Sequence, residues 1–290
     1  MKKLFLLTCA LYGCLAYGQN PFRPNIYFQN MNYYNVAAGI QDTSARYQVS
    51  AYTRYKFTDN GGTWNKAPNL FLNHIGYIDR ISSFYSASYI YDNYSFYDRH
   101  TIYLGYSHEL KLPKTHRLSF GVRGVFNFDY VKWDRLPEPG NPADRSLYFT
   151  PDLDLGIQYR VKGFTLGVSL KNVIGNRKKI YGEILLKNQR QLYGNVSYAF
   201  NIKNKVTIAP FALVYLERNF GFDLGLYLGF FDRAAVSYAF RLKEFRHVYT
   251  LNVRIYKGLR IALAADHSSI YKDVNADLML GYNFARKAKK

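Results

Sequence analysis

The stretch DLDLGIQYRVKGFTLGVSLKN, residues 152–172, is apolar at every second position on each side of Lys162-Gly163. Leu153, Leu155, Ile157, Tyr159 and Val161 alternate with Asp154, Gly156, Gln158 and Arg160; Phe164, Leu166, Val168 and Leu170 alternate with Thr165, Gly167, Ser169 and Lys171. A period of two sends the two sets to opposite faces of a strand, and the Lys-Gly pair reads as a hairpin turn. Each strand therefore needs one greasy and one wet side. A half-buried soluble sheet supplies that, and so does a transmembrane barrel with lipid outside and water inside. Strand length and strand number separate the two.

The pattern recurs in about fourteen segments: 46–57, 69–78, 81–91, 99–110, 116–129, 152–161, 163–173, 190–201, 204–216, 220–230, 232–242, 247–256, 258–267 and 274–284. Roughly ten residues is what a tilted strand needs to cross a bilayer, and an even count is the bacterial habit. The apolar face runs through Ile102, Leu104 and Tyr106 in the fourth segment and through Leu278, Leu280, Tyr282 and Phe284 in the last. Pro210 in the ninth predicts a bulge. The connections alternate as well, short at 162–163, 231–232 and 257–258, and mostly longer at 58–68, 92–98, 130–151 and 174–189. Beyond the first 20 residues no apolar run is long enough for a membrane helix, and aromatic residues make up 18% of the chain. A secreted β-sandwich also alternates, but it would expose Tyr, Phe and Leu to water over a whole face. The chain thus reads as all-β: an antiparallel transmembrane β-barrel of about 14 strands at 46–284, with short periplasmic turns and longer extracellular loops.

Met1-Lys2-Lys3, a short apolar core and Ala16-Tyr17-Gly18 form a secretory signal peptide over 1–18. Cys9 and Cys14 both fall inside it, which leaves the mature chain without cysteine; lipidation at Cys14 is the rival reading of this stretch. Residues 19–45 then form a periplasmic N-terminal lead-in and 285–290 a basic periplasmic tail. The location implied is the outer membrane of a Gram-negative bacterium, facing its lipids, with N- and C-termini periplasmic.

No catalytic constellation is visible, so no enzyme is predicted. Asp266, His267, Ser268 and Ser269 adjoin one another, but neighbours on a strand face opposite ways. The other histidines lack metal-ligand spacing, so neither a metal nor a cofactor is expected. The glycines of GVRG (121–124) fall within a strand and suit close packing in the barrel wall. A net charge of +19 is spread along the chain, which argues against nucleic acid and suits lumen and loop positions. The 130–151 loop either folds inward as a constriction or stands outward as a partner surface.

Four segments in order and spacing carry a resemblance: NPFRPNIYFQNMNYYNVAAG (20–39), TPDLDLGIQYRVKGFTLGVSLKN (150–172), RQLYGNVSYAFNI (190–202) and FDLGLYLGFFDRAAVSYAFRL (222–242). Together they resemble the PorP/SprF-like outer-membrane proteins of the Bacteroidetes, associated with type IX secretion and gliding. The family often has Pro after the Asn of its opening motif, where this chain has Val36. The resemblance implies a non-enzymatic barrel that helps export or anchor a large surface protein, such as an adhesin, by binding it. The partners implied are that secreted protein or type IX secretion components. Tyr33, Tyr34, Trp133, Asp134 and Arg135 are the expected partner-binding residues. The alternative is a general diffusion channel with a basic lumen that includes Arg123, Arg160, Lys171, Arg254 and Arg260.

Overall fold

A computed structural model describes residues 23–42, 44–57, 69–93, 97–133, 146–181, 184–203, 205–217, 219–270 and 273–285. The expected signal peptide and basic tail lie outside the described residues, apart from Ala285. The strands are β1 (Ala45–Phe57), β2 (Asn69–Ile78), β3 (Ser83–Asn93), β4 (Tyr97–Lys111), β5 (His116–Val131), β6 (Leu147–Val161) and β7 (Phe164–Lys171). They continue with β8 (Arg177–Tyr181), β9 (Ile184–Lys187), β10 (Gln191–Tyr198), β11 (Phe200–Ile202), β12 (Val206–Leu216) and β13 (Phe220–Phe230). The last four are β14 (Ala234–Arg241), β15 (Arg246–Tyr256), β16 (Leu259–Ser268) and β17 (Val274–Ala285). Antiparallel pairing runs from neighbour to neighbour, and β17 pairs with β1 to close the wall. β10 and β11 lie end to end against β12 as one stave, so the barrel has fourteen staves; β8 and β9 form a separate hairpin.

Two prolines interrupt the ladders, and register shifts at Ala45/Tyr47 and Arg254/Tyr256 are further irregularities. No register shift accompanies Pro210, which pairs with Leu226 in an unbroken β12–β13 ladder, so the expected bulge is absent. On the other side of Pro210 the ladder skips from Ser197–Phe211 to Phe200–Ile208. A residue with no N–H leaves a gap there instead of an inserted residue. Pro151 lies inside β6, opposite Phe126, at a level where β6 no longer pairs with β7. A strand edge tolerates proline, so β5 and β6 reach further beyond the membrane span than the sequence suggested.

Side chains sort by face as the alternation requires. Leu104, Ile157, Val168, Leu251 and Leu280 point outward, whereas Asp154, Gln158, Ser169 and Asn252 are buried inside. Histidines join tyrosines on the outer surface, as in His100 Nδ1 with Tyr89 Oη at 2.7 Å and His247 Nδ1 with Tyr238 Oη at 2.9 Å. Such rings suit the polar–apolar boundary of a membrane. The short turns at 79–82, 112–115, 162–163, 203–205, 231–233 and 257–258 gather at one end, the short-turn end; the remaining connections define the long-loop end.

The N-terminal segment departs from the expectation for residues 19–45. Residues 23–42 do not form a periplasmic lead-in; they run through the barrel interior, with α1 (Met31–Tyr34) midway. Ile26, Tyr27, Tyr33, Tyr34, Val36 and Ile40 are all buried there. The contacts fix the direction: Arg23 meets Glu244 at the long-loop end, and Asp42 meets Asn283 and Arg260 at the short-turn end. The two ends of the described chain, Arg23 and Ala285, therefore lie at opposite mouths, not both at one. An interior fourteen staves wide is too broad for wall side chains alone to fill, and this aromatic, Asn-rich segment fills it.

A charge on the lipid face should cost most at mid-span. Leu280→Arg, mid-way along β17, is expected to lose about 2–4 kcal/mol, and Leu216→Arg, at the end of β12, about 0–1 kcal/mol. Urea unfolding in lipid vesicles measures both, and equal losses would contradict the face and depth assignment.

Candidate functional site

Residues 23–42 form a plug held at three levels. At the middle, Arg123 of β5 is 2% exposed. Its Nη1 donates to the carbonyl of Asn32 at 2.9 Å and its Nη2 to that of Tyr33 at 3.2 Å. Asp154 on the adjacent strand neutralises it, with Nη2 to Oδ2 at 2.6 Å, and its guanidinium lies 4.5 Å from the centre of the Tyr103 ring. A buried guanidinium is tolerable only when its charge is paired and its donors are used; both conditions hold for Arg123. Beside it, Asn35 Nδ2 donates to the Ile157 carbonyl at 3.0 Å. The backbone there lies directly on paired wall glycines, Gly121 and Gly156. A Cβ on Gly121 would stand 2.7 Å from the nitrogen of Ala37, and one on Gly156 would strike Asn35. The close packing expected of the GVRG glycines is therefore, for Gly121, packing against the plug, whereas a Cβ on Gly124 would meet the ring of Phe126.

At the long-loop end, Arg23 pairs with Glu244 and lies over the Tyr215 ring at 4.3 Å. Asn25 donates to Asp266, and Tyr27 Oη donates to Asp223 at 2.5 Å while accepting from Arg241 Nε at 2.8 Å. At the short-turn end, Asp42 accepts from Asn283 Nδ2 at 2.9 Å and pairs with Arg260 at 3.2 Å and Arg254 at 3.4 Å. Burial raises the Asp42 carboxyl, but hydrogen bonds from Ser44 and Asn283 and the Arg260 charge outweigh it, holding the group below the usual carboxylate range.

The plug divides the lumen. One cavity of about 360 Å³ lies at the short-turn end, lined by Phe28, Asp42, Tyr227 and Arg260 among others. A second, of about 140 Å³, lies at the long-loop end between Tyr33, Tyr103, Arg99, Lys171 and Gln191. They share no lining residue. The inner cations are mostly paired: Arg54 with Asp277 at 2.8 Å, Arg99 with Asp129 at 2.6 Å, Arg246 with Asp273 at 2.7 Å. Much of the surplus positive charge sits at the short-turn end, where Lys114, Lys162, Lys203, Lys205, Arg233 and Lys257 are exposed.

Residues 16–284 match the family described as type IX secretion system membrane protein PorP/SprF. The chain belongs to that family. No curated protein is similar enough to match. Among solved structures, the Acinetobacter baumannii outer membrane protein Omp33 aligns over 83% of this chain and 98% of its own, at 11% identity and a TM-score of 0.54. The CymD monoaromatic hydrocarbon channel aligns over 85% and 90%, at 8% identity and a TM-score of 0.52. At these identities the likeness concerns the outer-membrane barrel fold alone.

Within this PorP/SprF barrel the expected partner-binding residues separate. Tyr33 lines the long-loop cavity. Tyr34 is internal: its Oη donates to the Pro24 carbonyl at 2.6 Å and its ring packs edge-on against Tyr33 and Tyr193. Trp133 is buried with Val131 and Leu186 at the long-loop end, where Tyr97 packs on the same cluster and also lines the cavity. Asp134 and Arg135 lie outside the described residues. The hairpin β8–β9, within the connection expected at 174–189, supplies Leu186, and Lys187 after it faces the cavity. The Asp266–Ser269 cluster is split by the wall: Asp266 is 1% exposed and pairs inward with Arg246, while His267 stacks outside on His247 at 5.0 Å.

Two outcomes follow for the plug. Gly121→Val should drive the Asn35–Ala37 backbone off the wall, cost about 1–3 kcal/mol and open the Tyr and Phe sites of 23–42 to chymotrypsin; unchanged resistance would refute the packing account. For Asp42, a folded pKa below the unfolded value of roughly 3.9 gives stability that is present above that value and lost as pH falls through the folded one. The stability gap between the parent and Asp42→Asn, measured by thermal melts in detergent, should therefore be constant above about pH 5 and vanish in acid.

Proposed function

We propose that this barrel serves type IX secretion by holding an exported surface protein at its long-loop mouth, which faces the cell exterior. The carrying observation is the plug: residues 23–42 fill the interior and are fastened at both mouths and at mid-height. A barrel so filled is suited to holding and unsuited to passing solutes. What the long-loop end presents supports the same reading. Trp133, Tyr97 and Leu186 fix a folded rim over a polar cavity, and rims of this kind carry recognition more often than walls do. Short turns on the periplasmic side put the long loops outside. The binding is non-covalent and calls for no catalytic group.

The diffusion-channel reading draws on the inner basic residues, yet Arg123 is bound to the plug and Arg254 and Arg260 are tied to Asp42. Purification from native outer membranes in mild detergent, with mass spectrometry of what accompanies the barrel, tests the proposal. A large exported protein in stoichiometric amount is expected, together with little conductance in planar bilayers. A barrel that came out alone and conducted steadily would make it a porin.

A further inference from the structure

Lys171 at the end of β7 is unlike the other inner cations. It is 3% exposed, yet no carboxylate lies within ion-pair distance of its ammonium among the described residues. Its Nζ rests 3.7 Å from the centre of the Tyr33 ring and 5.8 Å from those of Tyr103 and Tyr193. Ring faces attract an ammonium but accept none of its hydrogen bonds in the way an oxygen does. The neighbouring acids are already committed: Asp154 to Arg123 at 2.6 Å, and Glu217 to the Tyr193 hydroxyl at 2.8 Å. The same ammonium borders the 140 Å³ cavity of the long-loop end.

The cavity offers a further cation. Lys187 stands at the rim, exposed. Gln191 lies within 3.3 Å of the Tyr193 oxygen, but that hydroxyl has a single hydrogen and Glu217 takes it at 2.8 Å, so the Gln191 amide is not fixed as a donor. On the opposite wall Asp92 is buried and accepts from Asn69. One buried ammonium and one rim ammonium, facing the carboxylate of Asp92 and beside an Arg99 already held by Asp129 at 2.6 Å, suit a small monoanion; a dianionic phosphate would meet Asp92. A carboxylate oxygen would satisfy the Lys171 ammonium, and charge-assisted hydrogen bonds of this kind are the strong ones.

We propose that the Lys171 cavity is a carboxylate-binding site that takes one carboxylate of the bound protein partner, from either its chain terminus or an acidic side chain. The proposal rests on the partner-binding reading above and specifies the chemistry at its mouth.

The test uses the full barrel in nanodiscs with lysine 13C-labelled at Cε. Three probes are titrated against sodium chloride of matched ionic strength: Gly-Gly-Gly with a free C-terminus, the same peptide amidated, and acetyl-Gly-Asp-Gly-amide. The Lys171 resonance, identified by its loss in Lys171→Met, is expected to move saturably with one or both carboxylate peptides and not with the neutral amide. Response to the first or the third assigns the source. Affinity, followed from the peptide's own signals, should fall about tenfold or more in Lys171→Met and a few-fold in Lys187→Gln, a surface variant that leaves the fold alone. Shifts no larger than those of chloride, or equal affinity in Lys171→Met, overturn the site. If an exported partner co-purifies equally well with Lys171→Met, the cavity has no part in holding it, while the partner-binding reading stands.

Discussion

One buried guanidinium organises the interior. Arg123 projects from the wall, is neutralised by Asp154 on the next strand, and spends its remaining donors on the carbonyls of Asn32 and Tyr33. Those carbonyls belong to the short turn of helix at the centre of the plug, whose own backbone needs partners that no strand ladder supplies. Paired Gly121 and Gly156 complete the seat by letting the chain lie against the wall at backbone distance. Larger side chains at those two positions would push the Asn35–Ala37 stretch away and leave Arg123 with unused donors in a dry interior, a costly state.

From that seat the polar logic spreads to both mouths. The wall is lipid-compatible outside, so its polar residues must face inward, and buried polar groups demand partners. The plug provides many of them: Asn25 for Asp266, Tyr27 for Asp223 and Arg241, Asp42 for Arg254 and Arg260. A segment rich in tyrosine and asparagine suits this work, since each residue brings both packing bulk and a hydrogen-bonding tip. Lys171 departs from the pattern, its ammonium resting among ring faces with no ion-pair partner among the described residues, and it does so beside a cavity.

The wall was legible in the sequence and its filling was not. Period-two alternation is a local signal, so the staves at 69–78 and 220–230 match β2 and β13 to the residue, and Leu104 and Leu280 fall on the expected face. Residues 23–42 carry no periodicity, because a strip wound through a lumen touches different walls at successive residues. Its address depends on pairs such as Arg23 with Glu244, separated by 221 positions. The hairpin β8–β9 was missed for a related reason: five- and four-residue strands in a lysine-rich loop alternate too briefly to stand out. Tyr33 was picked from the sequence by its place in an aromatic cluster; Lys171 was visible only as one lumen lysine among several basic residues, and its isolation from carboxylates emerges once the strands are laid side by side.

The winding of residues 23–42 also ties the contents of the barrel to its closure. The segment enters at one mouth and leaves at the other directly into β1, and β1 is joined to β17 along the seam that shuts the cylinder. A strip fastened to the inner surface of β5, β6 and β16 is enclosed on every side where that seam is zipped. Wall and contents thus form one cooperative unit: the groups that satisfy the plug come from strands at both ends of the chain, and the plug in turn satisfies polar groups that the closed wall shuts away from water.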